Sequence, residues 1–259
     1  MKQVFANLFS KSKTKTVKRD SAHTSPDHLI YAIGDIHGRA DLLDRLLRLI
    51  FEDIHNRTNK VKVSFVFLGD YVDRGLQSKE VIETLCKIQS TGINCIFLIG
   101  NHEEILLDFL DDPIKHINWL QYGGTETLLS YQVPLRPGNL SKQELIEAAQ
   151  TFRDHLPEKH LNFLKSLENS YSDGDYFFVH AGISPTVSLE KQKIQDLRWI
   201  RDSFVQYTKP FEKVIVHGHT IGQDVLLLPN RIALDTGAYY SGKLSCVALE
   251  GNTVRILQT

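Results

Sequence analysis

Five short blocks of this sequence place Asp, Asn and His side chains directly after apolar runs. GDIHG offers Asp35 and His37, GDYVDRG offers Asp70, Asp73 and Arg74, and GNHE offers Asn101 and His102. VHAG adds His180, and VHGHT adds His217 and His219. Carboxylate, amide and imidazole are hard-to-borderline donors that suit manganese, iron or zinc. None is a thiolate, which argues against a structural zinc knot. Residues i and i+2 of extended backbone project to one side, so Asp35 and His37 can face one ion. Any block alone reads as a cap or a hydrogen-bonded pair. Together they bury five polar clusters, each costing desolvation free energy unless one shared function uses them.

The elements that must position these residues read as follows. HLIYAIGD (28–35), KVSFVFLGD (62–70) and INCIFLIGN (93–101) are apolar runs that end in Gly and a polar residue. Between them, RADLLDRLLRLIFEDI repeats Leu42, Leu43, Leu46, Leu47, Leu49 and Ile50 at helical spacing, and SKEVIETLCKIQ is helical with Ser78 as N-cap. This is β-α-β-α-β, which predicts parallel strands with ligands beyond their carboxyl ends. Glycine supplies a tight turn after each strand. Glu103 and Glu104 open the next helix, where negative charge suits the N-terminal end. Residues 103–175 are mostly helical in pattern, broken at Asp112-Pro113, Gly123-Gly124 and 133–139, and read as a helical insertion. The later strand patterns have short links, which suggests a β-meander, and Gly251-Asn252 marks a hairpin. The expected fold is α/β: two packed mixed sheets flanked by helices, with a single domain over 28–259.

GDIHG, GDYVDRG, GNHE, HAG and HGHT resemble, in order and spacing, the signature blocks of the phosphoprotein phosphatase family of calcineurin-like metallophosphoesterases. The resemblance covers about residues 28–250 and is strongest to small bacterial and phage members. It implies a first metal on Asp35, His37 and Asp70, and a second on Asp70, Asn101, His180 and His219. It implies that a hydroxide shared by two ions ~3.5–4 Å apart attacks phosphorus in line. It makes His102 the general acid, Asp73 its orienting carboxylate, and Arg74 and Arg201 the phosphate clamps. Arg201 comes from LRWIRDSF, where Arg198 is the alternative. His217 is then structural or supports a ligand. Tyr240 stands in a loop (DTGAYYSGKL) over the site.

The implied activity is serine/threonine protein phosphatase. The alternative is symmetrical cleavage of bis(5'-nucleosyl) tetraphosphates, for which the insertion should concentrate cations. Its Lys115, Arg136, Lys142, Arg153, Lys159 and Lys165 are scattered instead. A binding module without catalysis would lack a ligand or the acid, and none is missing. The expected partner is a phosphorylated protein or a small phosphoester.

Composition sets the outer bounds. With 42% apolar and 24% charged residues, the 259-residue chain has the makings of a folded core. A net charge of −1 gives no reason to expect nucleic acid. No apolar run reaches the ~18 residues of a membrane span. Cys86, Cys95 and Cys246 form no CxxC and read as buried, reduced thiols, which points to a reducing, cytoplasmic compartment. Residues 1–27 read as a flexible basic tail, with a short helix carrying Val4, Phe5, Leu8 and Phe9 as the alternative.

Overall fold

The computed structural model describes residues 15–19, 22–58, 61–136, 138 and 140–259. The β-α-β-α-β opening consists of β2 (His28–Ile33), α1 (Ala40–His55), β3 (Lys62–Phe67), α2 (Ser78–Gln89) and β4 (Asn94–Phe97), after a short β1 (Lys15–Lys18). β2, β3 and β4 pair in parallel, with Leu29 opposite Val63 and Phe65 opposite Cys95. The alternation along β2 sorts two cores. Leu29, Tyr31 and Ile33 pack with Leu43 and Leu46 of α1 and Val81 and Leu85 of α2. Ile30 and Ala32 point the other way, into a core shared with Tyr176, Phe178, Val216 and Ile232. A strand covered on both faces reads as a continuous apolar run, which is why period-2 alternation is absent from the sequence here.

The helical layer continues with α3 (Asn101–Asp111), a 3-10 turn (Ile117–Tyr122), α4 (Gly124–Ser130), α5 (Lys142–His155) and α6 (Glu158–Lys165). A second sheet follows: β5 (Ser170–Asp173), β6 (Tyr176–Val179), then α7 (Ile194–Trp199), α8 (Asp202–Val205), β7 (Val214–His217), β8 (Leu226–Leu227) and β9 (Arg231–Ala233). The meander expectation fails here. β6, β7 and β9 are parallel, and only β5 and β8 are antiparallel. The link from β6 to β7 is a crossover whose Leu197 and Phe204 cover Phe177, Val179 and Ile215. The molecule is thus two packed mixed sheets with helices on both outer faces.

After α9 (Ala238–Ser241), the hairpin β10 (Ser245–Glu250) and β11 (Thr253–Gln258) turns at Gly251-Asn252 and returns to the first sheet beside β2. β1 pairs with β11, so the folded unit begins before residue 28, inside the stretch expected to be a tail. The reason is that β11 would otherwise leave an open edge of unpaired backbone groups. The helix considered for Val4–Phe9 lies outside the described residues. Ser78 is not a cap: Gln77 holds that position without a side-chain bond, and the Ser78 hydroxyl accepts from the Asp73 amide. Among the described residues no helix is long and apolar enough to cross a membrane. The three cysteines are unpaired, and Cys86 and Cys95 are only half-buried.

Candidate metal centre

The carboxyl ends of β2, β3, β4, β6 and β7 lead into one buried cluster. Asp35, His37, Asp70, Asn101, His102, His180 and His219 are each 6% exposed or less. Of the seven non-glycine residues with positive φ among those described, five fall in these blocks: His37, Asp70, Asp73, Arg74 and His219. Left-handed backbone costs an L-residue about 1–2 kcal/mol, so its concentration here marks a site whose geometry the fold imposes. Glycine does a different job from the expected turn at two positions. A Cβ at Gly100 would lie 2.1 Å from Asp70 Oδ1, and one at Gly218 would lie 1.9 Å from Asp35 Oδ1. These glycines give the carboxylates room.

The proton inventory shows what the cluster lacks. His180 Nδ1 donates to the Leu68 carbonyl at 2.8 Å, and His37 Nδ1 donates to the Val72 carbonyl at 2.9 Å. Burial lowers the pKa of both rings, so each is neutral and its Nε2 carries a lone pair. His180 Nε2 faces Asn101 Oδ1 at 3.0 Å and Asp70 Oδ1 at 3.4 Å, while His37 Nε2 faces Asp70 Oδ2 at 3.5 Å. Acceptors thus point at acceptors across Asp70. Asp35 Oδ1 and His219 Nε2 are buried with no protein partner, although Asp35 Oδ2 accepts from the His219 amide at 2.9 Å. Such a donor set fits cations between its members, with Asp70 presenting one oxygen to each side. Burial also holds His219 down at about 2. The pKa of Asp70 lies below the ordinary carboxylate range in spite of its burial, and its Oδ1 accepts from the His102 amide at 3.1 Å.

His102 Nε2 also lies within 4.8 Å of donor atoms of His37 and Asp70. It is nevertheless engaged differently. Its Nδ1 bonds Asp73 Oδ2 at 2.6 Å, and Arg74 Nη2 reaches its Nε2 at 3.2 Å. A lone pair facing a guanidinium is a poor place for a second cation. Arg74 is held over the Tyr239 ring at 4.8 Å, and its backbone lies under Gly123, where a Cβ would approach Arg74 N to 2.3 Å. Arg201 is exposed and donates to the His219 carbonyl at 3.3 Å, which sets it at the mouth of the cluster. Arg198 is committed elsewhere, to Glu104 and Asn169. His217 turns its ring against Phe204 and bonds the Gly218 carbonyl.

The roles of several residues here are not visible in the sequence blocks. Glu103 is more than a helix opener: it accepts from the amides of Gly100, Asp70 and Tyr71, tying the GNHE and GDYVDRG loops together. Burial beside Asp70 pushes its pKa up to about 7. Glu104 also stands in the first turn of α3, and its carboxylate bonds Arg198 and the Trp199 indole besides. Tyr240, expected over the site, is 62% exposed, and Tyr239 instead packs against His37 and Arg74. Asp235, buried beside Asp35, is pushed up to about 6 by burial. Trp119 and Thr127 of the helical layer reach the Asp73 carboxylate.

A family model described as calcineurin-like phosphoesterase matches residues 28–243. The asymmetrical bis(5'-nucleosyl)-tetraphosphatase of Anoxybacillus flavithermus is 26% identical, over 88% of this chain and 93% of its own length. Serine/threonine-protein phosphatase 2 of Salmonella typhimurium is 28% identical, over 83% of this chain and 90% of its own. A cold-active protein tyrosine phosphatase has a similar fold, with a TM-score of 0.59, 20% identity and coverage of 90% of this chain and 78% of its own.

Proposed function

The chain belongs to the calcineurin-like phosphoesterases, and from that premise we propose that it hydrolyses phosphoserine and phosphothreonine monoesters. The observation that carries the hydrolytic reading is the set of unprotonated donors facing one another across Asp70. Asp35, His37 and Asp70 would hold one metal ion, and Asp70, Asn101, His180 and His219 a second. Bound there, such ions polarise a phosphoryl oxygen and activate water as the nucleophile.

The chain's own side chains do the rest. Arg74, poised over Tyr239, supplies planar donors to two phosphoryl oxygens, and Arg201 approaches from the rim. When phosphate draws Arg74 from His102 Nε2, that nitrogen is free to carry the proton the leaving oxygen needs. Asp73, taking Nδ1–H, keeps Nε2 aimed at the site. The carboxylates of Asp70 and Asp73 outweigh the burial of His102 and raise its pKa, favouring the protonated ring.

A single phosphoryl group is the better match to the cations available. Arg136 pairs with Glu144, Arg153 donates to the Leu110 carbonyl and Lys159 pairs with Glu83, so three of the insertion's basic residues already have partners in this chain, two of them at the surface. The second reading, dinucleoside tetraphosphate hydrolysis, has in its favour the relative of that activity that aligns along nearly its whole length. The test is protein stripped of metal, reloaded with manganese, and offered a phosphoserine peptide and diadenosine tetraphosphate. Phosphate release from the peptide supports the proposal. Rapid nucleotide release without peptide turnover overturns it, and the products (two ADP, or ATP and AMP) then define the cleavage.

A further inference from the structure

Asp73 is fully buried and has no ion pair with lysine or arginine among the described residues. Its carboxylate is held instead by three hydrogen bonds. Oδ2 receives His102 Nδ1–H at 2.6 Å and the Trp119 indole N–H at 2.8 Å, and Oδ1 receives the Thr127 hydroxyl at 2.6 Å. The Thr127 oxygen in turn accepts from the Asp73 amide at 2.9 Å, and Ser78 Oγ lies 3.0 Å from it. Thr127 has one proton, and Oδ1 can only accept it. The Ser78 hydroxyl therefore donates to Thr127, and every proton in the group is used.

Both anchors come from the helical layer. Trp119 ends up beneath Gly124, where a Cβ would lie 2.5 Å from the indole, and it packs against Phe109 and Phe152. The hydrogen bonds of both side chains run to Asp73 and Ser78, and to none of the donor residues across Asp70. From these contacts we infer that Trp119 and Thr127 are positioning residues for proton delivery: they fix the Asp73 carboxylate, which fixes the His102 ring. The helical layer thus sets the catalytic acid as well as covering the sheet. With Thr127 lost, Oδ1 of a buried carboxylate loses its one donor, and the group can rotate away from His102. This inference rests on His102 being the general acid.

The test is dependence on the leaving group. Aryl phosphates that expel a poor leaving group need the proton, and 2,4-dinitrophenyl phosphate does not. The 259-residue chain loaded with manganese is assayed on phenyl phosphate and 2,4-dinitrophenyl phosphate as Thr127→Val, Thr127→Ser, Trp119→Phe and His102→Asn. Thr127→Val is expected to lower kcat about 10- to 100-fold on phenyl phosphate, a partial loss beside the roughly 10²- to 10⁴-fold worth of a general acid, and less than about 3-fold on the dinitrophenyl ester. Thr127→Ser, which keeps the hydroxyl, restores kcat on both, and Trp119→Phe follows Thr127→Val. Equal losses on the two esters in Thr127→Val, or no loss, overturn the inference when His102→Asn does discriminate between them. If His102→Asn itself does not discriminate, the general-acid reading falls and the inference with it.

Discussion

The molecule builds two buried histidine–aspartate pairs at opposite ends of its sheets. At the carboxyl end, His102 Nδ1 meets Asp73 at 2.6 Å; at the amino end, where β2 begins and β5 ends, His28 Nδ1 meets Asp173 at 2.8 Å. Both rings are 3% exposed, so burial does not tell them apart. The second nitrogen does. His28 Nε2 bonds Ser64 Oγ at 2.7 Å, and that oxygen also receives Asn94 Nδ2 at 2.7 Å, which closes the chain of donors and acceptors. His102 Nε2 has Arg74 at 3.2 Å and the open cluster beyond it. A histidine with both nitrogens satisfied by the scaffold is a strut. One with a nitrogen turned toward a phosphate-binding cation is available for chemistry.

The largest effects should separate the two ends. His102→Asn should lower kcat by about 10²- to 10⁴-fold on phosphoserine peptide, the usual worth of a general acid, with little change in the urea midpoint. A similar kcat loss in Asp173→Asn would erase the distinction between strut and acid. Metal exchange should come next. Reloading the stripped protein should add about 2.7 kcal/mol of stability for each ion bound at a hundredfold excess over its Kd, measured by urea unfolding. Asp35→Ala should lose the share of that gain due to the ion it helps hold, and Asp173→Asn should keep the whole of it. Asp173→Asn itself sets an amide against either the His28 or the Ser25 N–H, and should cost about 1–3 kcal/mol while leaving kcat within a few-fold.

How much of this was legible depended on sequence distance. The donor cluster is spelled in blocks of a few contiguous residues because parallel strands bring their ends together, and the Gly251-Asn252 turn is just as local. The anchors of Asp73 are not local: Trp119 lies 46 residues on and Thr127 54, each looking like an ordinary helix residue. Glu103 reads as a helix opener because one of its two jobs is to cap the start of α3 at Gly100; its grip on the Asp70 loop is a contact across 33 residues. The choice between Tyr239 and Tyr240 turns on the short α9 that begins after Gly237: Tyr239 faces His37 and Arg74, and Tyr240, its ring edge-to-face with Tyr239 at 5.1 Å, lies over Gly237. Short links hid the parallel second sheet because α7 and α8 are brief enough to pass for loops.

The smallest predicted effect asks what kind of strut the amino end is. Burial works to raise the pKa of Asp173, but the Ser25 amide and the His28 ring outweigh it and hold the carboxyl below its ordinary range. A carboxyl depressed on folding adds stability above its unfolded pKa of about 3.9, and loses it as pH falls from there toward the folded value. The urea-midpoint gap between the parent chain and Asp173→Asn should therefore hold steady from pH 7 to about pH 5 and narrow below about pH 4. A gap that stays constant to pH 3 would mean that the charge on Asp173 contributes nothing. The amino-end pair would then be a neutral hydrogen-bond chain, and its contrast with His102 and Asp73 would rest on what the second histidine nitrogen faces.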